Sequence, residues 1–291
     1  MMRRYSSVVG LALCLAVAVP ASATFHIMII EQLFPGFESA PDAQYIMLQL
    51  QAPVQIAVYE QPFPVYNATG AAQSPFAAFC STPRAACSLP RVSPACNTPG
   101  CPNALEANGS NILVATRWAQ GLFCVTADLL ASGDLPYPDG RACFGDCGLR
   151  DDCGTGPVDC VAYGTFSGDN GVFGQPALTP DPGMALVASP DRTNQFITGH
   201  LLDSRLGFSP GAPTPQNFHG DAGRLDGLEG DANGDRHVNE TDVRATAAAL
   251  FGGGQRCDLP AAQRGADANL DTRVSAADLI STIRVVTAAR V

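Results

Sequence analysis

Between Asp231 and Asp242 the chain sets oxygen-bearing side chains at alternate positions: Asp231, Asn233, Asp235, Asn239 and Asp242, with His237 at the seventh position. Thirty-six residues later the pattern returns as Asp267, Asn269, Asp271, Ser275 and Asp278, with Arg273 seventh. Calcium takes six to eight hard oxygen ligands, and a loop of this length supplies them from positions 1, 3, 5, 7 through the carbonyl, 9 and 12. Both loops fill that template, so two calcium ions are expected, with His237 and Arg273 contributing backbone carbonyls rather than side chains. One such loop could be an Asx-rich turn capping a helix; two in matching register point to metal.

Two departures are expected to weaken binding relative to a calcium sensor. Arg236 and Thr272 stand at the sixth position, where the sharp turn normally uses glycine, and the twelfth residue is Asp rather than the longer Glu. Val238 and Val274 fall where paired loops join through a short strand.

Each loop must be held by the element on its C-terminal side. Thr241 to Leu250 and Ala276 to Val286 are alanine-rich, with apolar residues at helical spacing (Val243, Ala247, Leu250; Leu279, Ile283, Val286), which predicts two helices. Upstream, short apolar runs separated by turn residues (Phe25 to Ile30, Tyr45 to Leu50, Val54 to Tyr59, Ile112 to Ala115, Val158 to Tyr163, Met184 to Ala188) predict strands. Only Thr126 to Ala131 and its neighbours are expected to form a short helix there. The fold class is therefore mainly β: a β-sandwich with Cys-rich loops followed by a small α-helical calcium-binding domain.

The boundaries come from composition. Arg3 and Arg4, the apolar run from Val8 to Val19 and the small-residue site Ala21-Ser22-Ala23 read as a signal peptide over 1–23, so a secreted protein is expected. The sandwich spans 24–215, a linker 216–227 and the calcium-binding domain 228–291. No later run is long and apolar enough to span a bilayer.

Of 11 cysteines, Cys14 lies in the leader. Cys80, Cys87, Cys96, Cys101, Cys124, Cys143, Cys147, Cys153 and Cys160 cluster upstream, and Cys257 stands alone. An even ten in an exported chain predicts disulfides rather than zinc, with Cys257 either bridging to the cluster or free. A net charge of -10, with every basic residue an arginine, argues against nucleic acid or anionic lipid as a partner.

The run Gly230-Asp231-x-Asn233-x-Asp235-x-x-Val238-Asn239-x-x-Asp242, a helix and then a second copy resembles the type I dockerin module of bacterial polysaccharide-degrading assemblies. That resemblance implies an EF-hand-like fold that forms on calcium and docks onto a cohesin-like protein partner. In the family, recognition leans on hydroxylated residues at loop positions 10 and 11. Those positions are Glu240-Thr241 and Ala276-Ala277 here; Thr241 alone fits, which leaves open an intramolecular or unusual partner.

Upstream, Ile29-Ile30-Glu31-x-Leu33-Phe34-Pro35-Gly36, then Ala43-Gln44-Tyr45-Ile46-x-Leu48-Gln49, Asp159 to Gly164 and Gly211 to Asn217 resemble the landmarks of a lamin-tail-like domain. This implies an immunoglobulin-like sandwich serving as a binding or surface module, with polysaccharide or the cell surface as its target. Since dockerins often carry hydrolases, the alternative is an exported glycoside-type hydrolase of polysaccharides. The upstream acids offer no carboxylate pair whose spacing singles it out, and His26, His200 and His219 lie near no serine-nucleophile motif. The sequence thus assigns no catalytic residue, and the reading favoured is a non-enzymatic binding or surface protein.

Overall fold

A computed structural model describes residues 28–51, 61–78, 110–145, 157–190, 192, 203–225, 229–235, 237–252 and 255–288. Among these residues nine strands alternate with turns: β1 (Met28–Phe34), β2 (Tyr45–Leu50), β3 (Val65–Asn67), β4 (Asn111–Ala115), β5 (Leu129–Leu130), β6 (Gly140–Phe144), β7 (Asp159–Tyr163), β8 (Ala185–Ala188) and β9 (Phe208–Gly211). They form a six-stranded sheet ordered β5-β4-β2-β1-β8-β9 and a three-stranded sheet ordered β3-β6-β7. All pairings between these strands are antiparallel except β4 with β5.

The two sheets share one apolar core. Ile46, Leu48, Leu50, Ile112 and Val114 from the larger sheet meet Val65, Ala142, Phe144, Val161 and Tyr163 from the smaller. Successive side chains on a strand point to opposite faces, so β2 and β4 send Tyr45, Met47, Leu113 and Ala115 to the other side. There they pack against α1 (Arg117–Phe123), which Thr116 caps by accepting from the Ala119 amide at 3.1 Å. The larger sheet is thus covered on both faces, which is why its strands read as continuous apolar runs.

β1 solves a parity problem. Its register with β2 shifts between Ile30 and Gln32, and the extra residue at Glu31 lets Met28, Ile30 and Leu33 all face the shared core. Gln32 then turns to the opposite side, where the Tyr45 hydroxyl donates to its side-chain oxygen and the Thr214 amide does so at 2.9 Å.

Several expectations change. The segment Thr126 to Ala131 is not a helix: Leu129 and Leu130 form the parallel edge strand β5, and the helix lies upstream as α1. The Asp128 carboxylate accepts the Leu113 amide at 2.8 Å and the Phe218 amide at 2.9 Å, pinning this stretch extended along β4. The mainly β character belongs to the segment from Met28 to Gly211; over all described residues helix and strand contribute about equally. Runs at Tyr45, Ile112, Val158 and Met184 appear as strands within a residue of expectation, whereas Val54 to Tyr59 and the leader lie outside the described residues.

The C-terminal unit carries α2 (Glu240–Gly252) and α3 (Ala276–Ala288), close to both expected helices. Of the apolar residues that helical spacing marks on α3, Val286 is buried but Ile283 is exposed. Asp242 and Thr246 are the buried residues of α2, and Asp278, Thr282 and Val286 those of α3, with the Thr246 and Thr282 hydroxyl oxygens 3.4 Å apart. Short threonines at equivalent repeat positions let the helices meet there, and Ile280 and Ile283 are left exposed.

Candidate metal centre

Each twelfth-position aspartate organises its own loop. Asp242 accepts the Asn233 amide at 3.1 Å through Oδ1 and the Asn239 amide at 2.9 Å through Oδ2. Asp278 repeats this with the Asn269 amide at 3.0 Å and the Ser275 amide at 2.7 Å. At the fifth position Asp235 accepts the His237 amide at 2.8 Å, and Asp271 the Arg273 amide at 3.0 Å. At the third, Asn233 and Asn269 accept the Asp235 and Asp271 amides at 2.9 and 3.1 Å.

These bonds curl both loops inward and bring three carboxylates together in each. Asp231, Asp235 and Asp242 offer ligand atoms within 4.8 Å of one another, and so do Asp267, Asp271 and Asp278. Three carboxylates so close repel one another, and a hard dication would relieve that. In the second loop Asp267 is fully buried, and its Oδ1 has no hydrogen-bond partner. A buried acceptor without a donor costs free energy, so an oxygen-seeking cation suits this atom. The His237 ring is exposed, with Nδ1 3.0 Å from the Asp235 carbonyl and 3.7 Å from Asp235 Oδ1, at the outer edge of the carboxylate cluster. Its own carbonyl accepts from Asn239 Nδ2 at 3.5 Å, and Ser275 Oγ donates to Asp278 Oδ2 at 3.1 Å.

No family model, curated protein or solved structure matches this chain.

The loops differ in their surroundings. Residue Arg236 lies outside the described residues; its counterpart Thr272 has φ of 72°, the left-handed turn that the sixth position requires. Left-handed backbone also recurs at the fourth position, at Gly234 (78°) and Leu270 (58°). Gly234 abuts Ala262, whose carbonyl oxygen would lie 2.6 Å from an added Cβ. Val274 is buried and Val238 half-buried, but the described bridge of the second loop joins Arg273 to Gln255, not Val274 to Val238.

Leu270 is buried in the apolar cluster formed by Phe34, Tyr45, Leu122 and Phe123 of the β unit. Arg256, fully enclosed, donates from Nε to the Leu122 carbonyl at 3.0 Å and from Nη1 to Asp267 Oδ2 at 3.4 Å. The last carbonyls of a helix lack intrahelical donors and carry partial negative charge. A guanidinium there satisfies α1, while Arg224 serves the next carbonyl, Phe123, through its amide at 3.2 Å. Burial pushes the Asp267 carboxyl up to about 6 against the pull of Arg256, with Asp278 and Asp271 adding to the rise.

Cys257 bridges to Cys124 at the end of α1, and Cys143 to Cys160 across β6 and β7. The remaining upstream cysteines lie outside the described residues. Between the units, 216–225 is built into the sandwich: Asn217 is buried and donates to the Thr126 carbonyl at 3.1 Å, and the Gly223 amide donates to the Pro215 carbonyl at 2.7 Å. Sequence reasoning missed Arg256 and Leu270. The available signals were a leucine at the fourth loop position, where the first loop has Gly234, and an arginine beside the isolated Cys257.

Proposed function

We propose that this chain is an exported, non-enzymatic binding or surface protein in which an immunoglobulin-like, lamin-tail-like sandwich carries a dockerin-type unit that takes two calcium ions. The observation that carries the reading is the pair of carboxylate triads, Asp231/Asp235/Asp242 and Asp267/Asp271/Asp278, gathered at equal loop positions. The ligand sets are completed by Asn233, Asn239 and the His237 carbonyl in one loop and by Asn269, Ser275 and the Arg273 carbonyl in the other. Calcium supplies the charge that lets three carboxylates share one small volume.

The sandwich reading draws support from the work its landmark residues do. Gln44 ties two loops together, donating to the Pro35 carbonyl at 3.0 Å and the Leu135 carbonyl at 2.8 Å. Gly36 turns the chain at a φ of 84°, and an added Cβ there would lie 2.4 Å from the Pro41 carbonyl oxygen. These are scaffold roles, which fits a binding module better than a catalyst. The outward partner of the calcium-binding unit, cohesin-like or another protein, would meet the exposed Glu240-Thr241 and Ala276-Ala277 steps. No helix of the described residues is long and apolar enough to cross a membrane.

The deciding experiment is calcium titration of the full chain by calorimetry with melting in calcium and in chelator. Two ions should bind and raise the melting temperature, and Asp231→Ala with Asp267→Ala should remove both effects. Indifference to chelator would sink the reading.

A further inference from the structure

Among the described residues, the second loop is enclosed by the β unit in a way the first is not. Leu270 and Thr272, interleaved with the ligand positions, both take positive φ, which a β-branched residue such as threonine tolerates worst. Contacts from outside the loop hold each in place. Leu270 inserts among Leu122 and Phe123. The Thr272 carbonyl accepts the Arg256 amide at 3.0 Å, and its side chain lies over Gly121, where an added Cβ would come within 2.7 Å of Cγ2. Asp267 itself is held through Oδ2 by Arg256, which in turn grips the Leu122 carbonyl. The Cys124–Cys257 bridge fastens the same corner.

We infer that the β unit is part of the second cation site: docking on α1 preorganises the second loop for its ion, and the ion in turn tightens docking, while the first loop binds independently of both. The inference rests on the calcium reading above. Its physical basis is linkage. A loop that must adopt strained backbone to bind pays for that ordering on binding, unless another contact has already imposed it. Whatever docking does for the ion, the ion does equally for docking. The positive charge of Arg256 beside Asp267 opposes a cation, which makes the second loop the more dependent on preorganisation.

Gly121→Ala tests this from the β unit, far in sequence from either loop. It adds one methyl group against Thr272 at a helical position where alanine is otherwise favourable. In full chain carrying Asp231→Ala, so that calorimetry reads the second loop, Gly121→Ala should weaken calcium binding by about five- to tenfold. In full chain carrying Asp267→Ala, which leaves the first loop, the same change should leave affinity unaltered.

The reciprocal measurement needs no variant. Saturating calcium should slow dithiothreitol reduction of Cys124–Cys257 in the unmodified chain by about fivefold or more, tracked by thiol labelling and peptide mapping. Unchanged second-loop affinity in Gly121→Ala, or equal reduction rates with and without calcium, overturns the coupling although calcium binds. Calorimetry silent on the unmodified chain overturns the calcium reading and this inference together.

Discussion

Asp159 and Arg192 are both enclosed and meet as a two-point pair. Arg192 Nη1 donates to Oδ2 at 2.8 Å and Nη2 to Oδ1, while the Ile30 and Cys160 amides donate to the same carboxylate at 2.7 and 2.8 Å. The guanidinium lies over the Phe208 ring, 4.5 Å from its centroid. Removing one partner strands a buried charge, at about 3 to 5 kcal/mol. Asp159→Ala should lower the unfolding free energy in urea by that amount, whereas the exposed Asp181→Ala should change it by less than about 0.5 kcal/mol. Equal effects would contradict a buried pair.

Glu31, at the β1 bulge, behaves differently. It is half-buried, and burial pushes its carboxyl up to about 7 despite the Arg192 charge. A carboxyl whose folded pKa exceeds its unfolded one holds its proton more tightly when folded. Its stability contribution is therefore complete below about pH 4 and lost as pH rises through about 7. Glu31→Gln removes that loss. Between about pH 4.5 and 7.5 the unmodified chain should lose about 1 to 2 kcal/mol relative to the variant, allowing for solvent screening at a half-buried site. Parallel pH profiles of the two melting temperatures would refute it.

At the scale of elements, legibility tracks how local the cause is. The run Tyr45 to Leu50 is apolar throughout because both faces of its sheet are covered, and it appears as β2 with those bounds. The carboxylate loops are legible because each is closed by bonds from its own backbone amides to its own side chains. Thr126 to Ala131 misleads because what fixes it, the grip of Asp128 on Leu113 and Phe218, depends on residues remote in sequence. The α2–α3 crossing is likewise hidden: helical spacing marks Ile283 as a contact residue, but the helices meet through Thr246 and Thr282. No periodicity could announce that Leu270 serves the core of another unit.

The smaller sheet shows what a staple contributes to such elements. Cys143 and Cys160 are directly opposed on β6 and β7, and their bridge closes a sequence separation of 17. Constraining a loop of that size in the unfolded chain is worth about 3 kcal/mol. Replacing both by alanine should cost about 2 to 4 kcal/mol in urea denaturation and speed amide exchange in β6 and β7 before the larger sheet responds. Exchange rates unchanged in those strands would show that the three-stranded sheet does not rely on the bridge.

For the whole molecule, the outer face of the large sheet is finished by the second unit. Phe34, Tyr45 and Phe123 pack in mutual edge and stacked contacts, and Leu270 joins their cluster from the second carboxylate loop. Separating the units exposes that cluster and leaves the Leu122 carbonyl without its guanidinium, so the halves should unfold together. The Cys124–Cys257 bridge spans 133 residues, and the chain-entropy effect of a closure that long is roughly 5 kcal/mol. Scanning calorimetry of the full chain in calcium should therefore give one transition. Cys124→Ser with Cys257→Ser lets the C-terminal helices leave while the sandwich persists, and should give two, the lower one moving with calcium concentration. Two transitions already in the unmodified chain would mean that the units touch without sharing their stability.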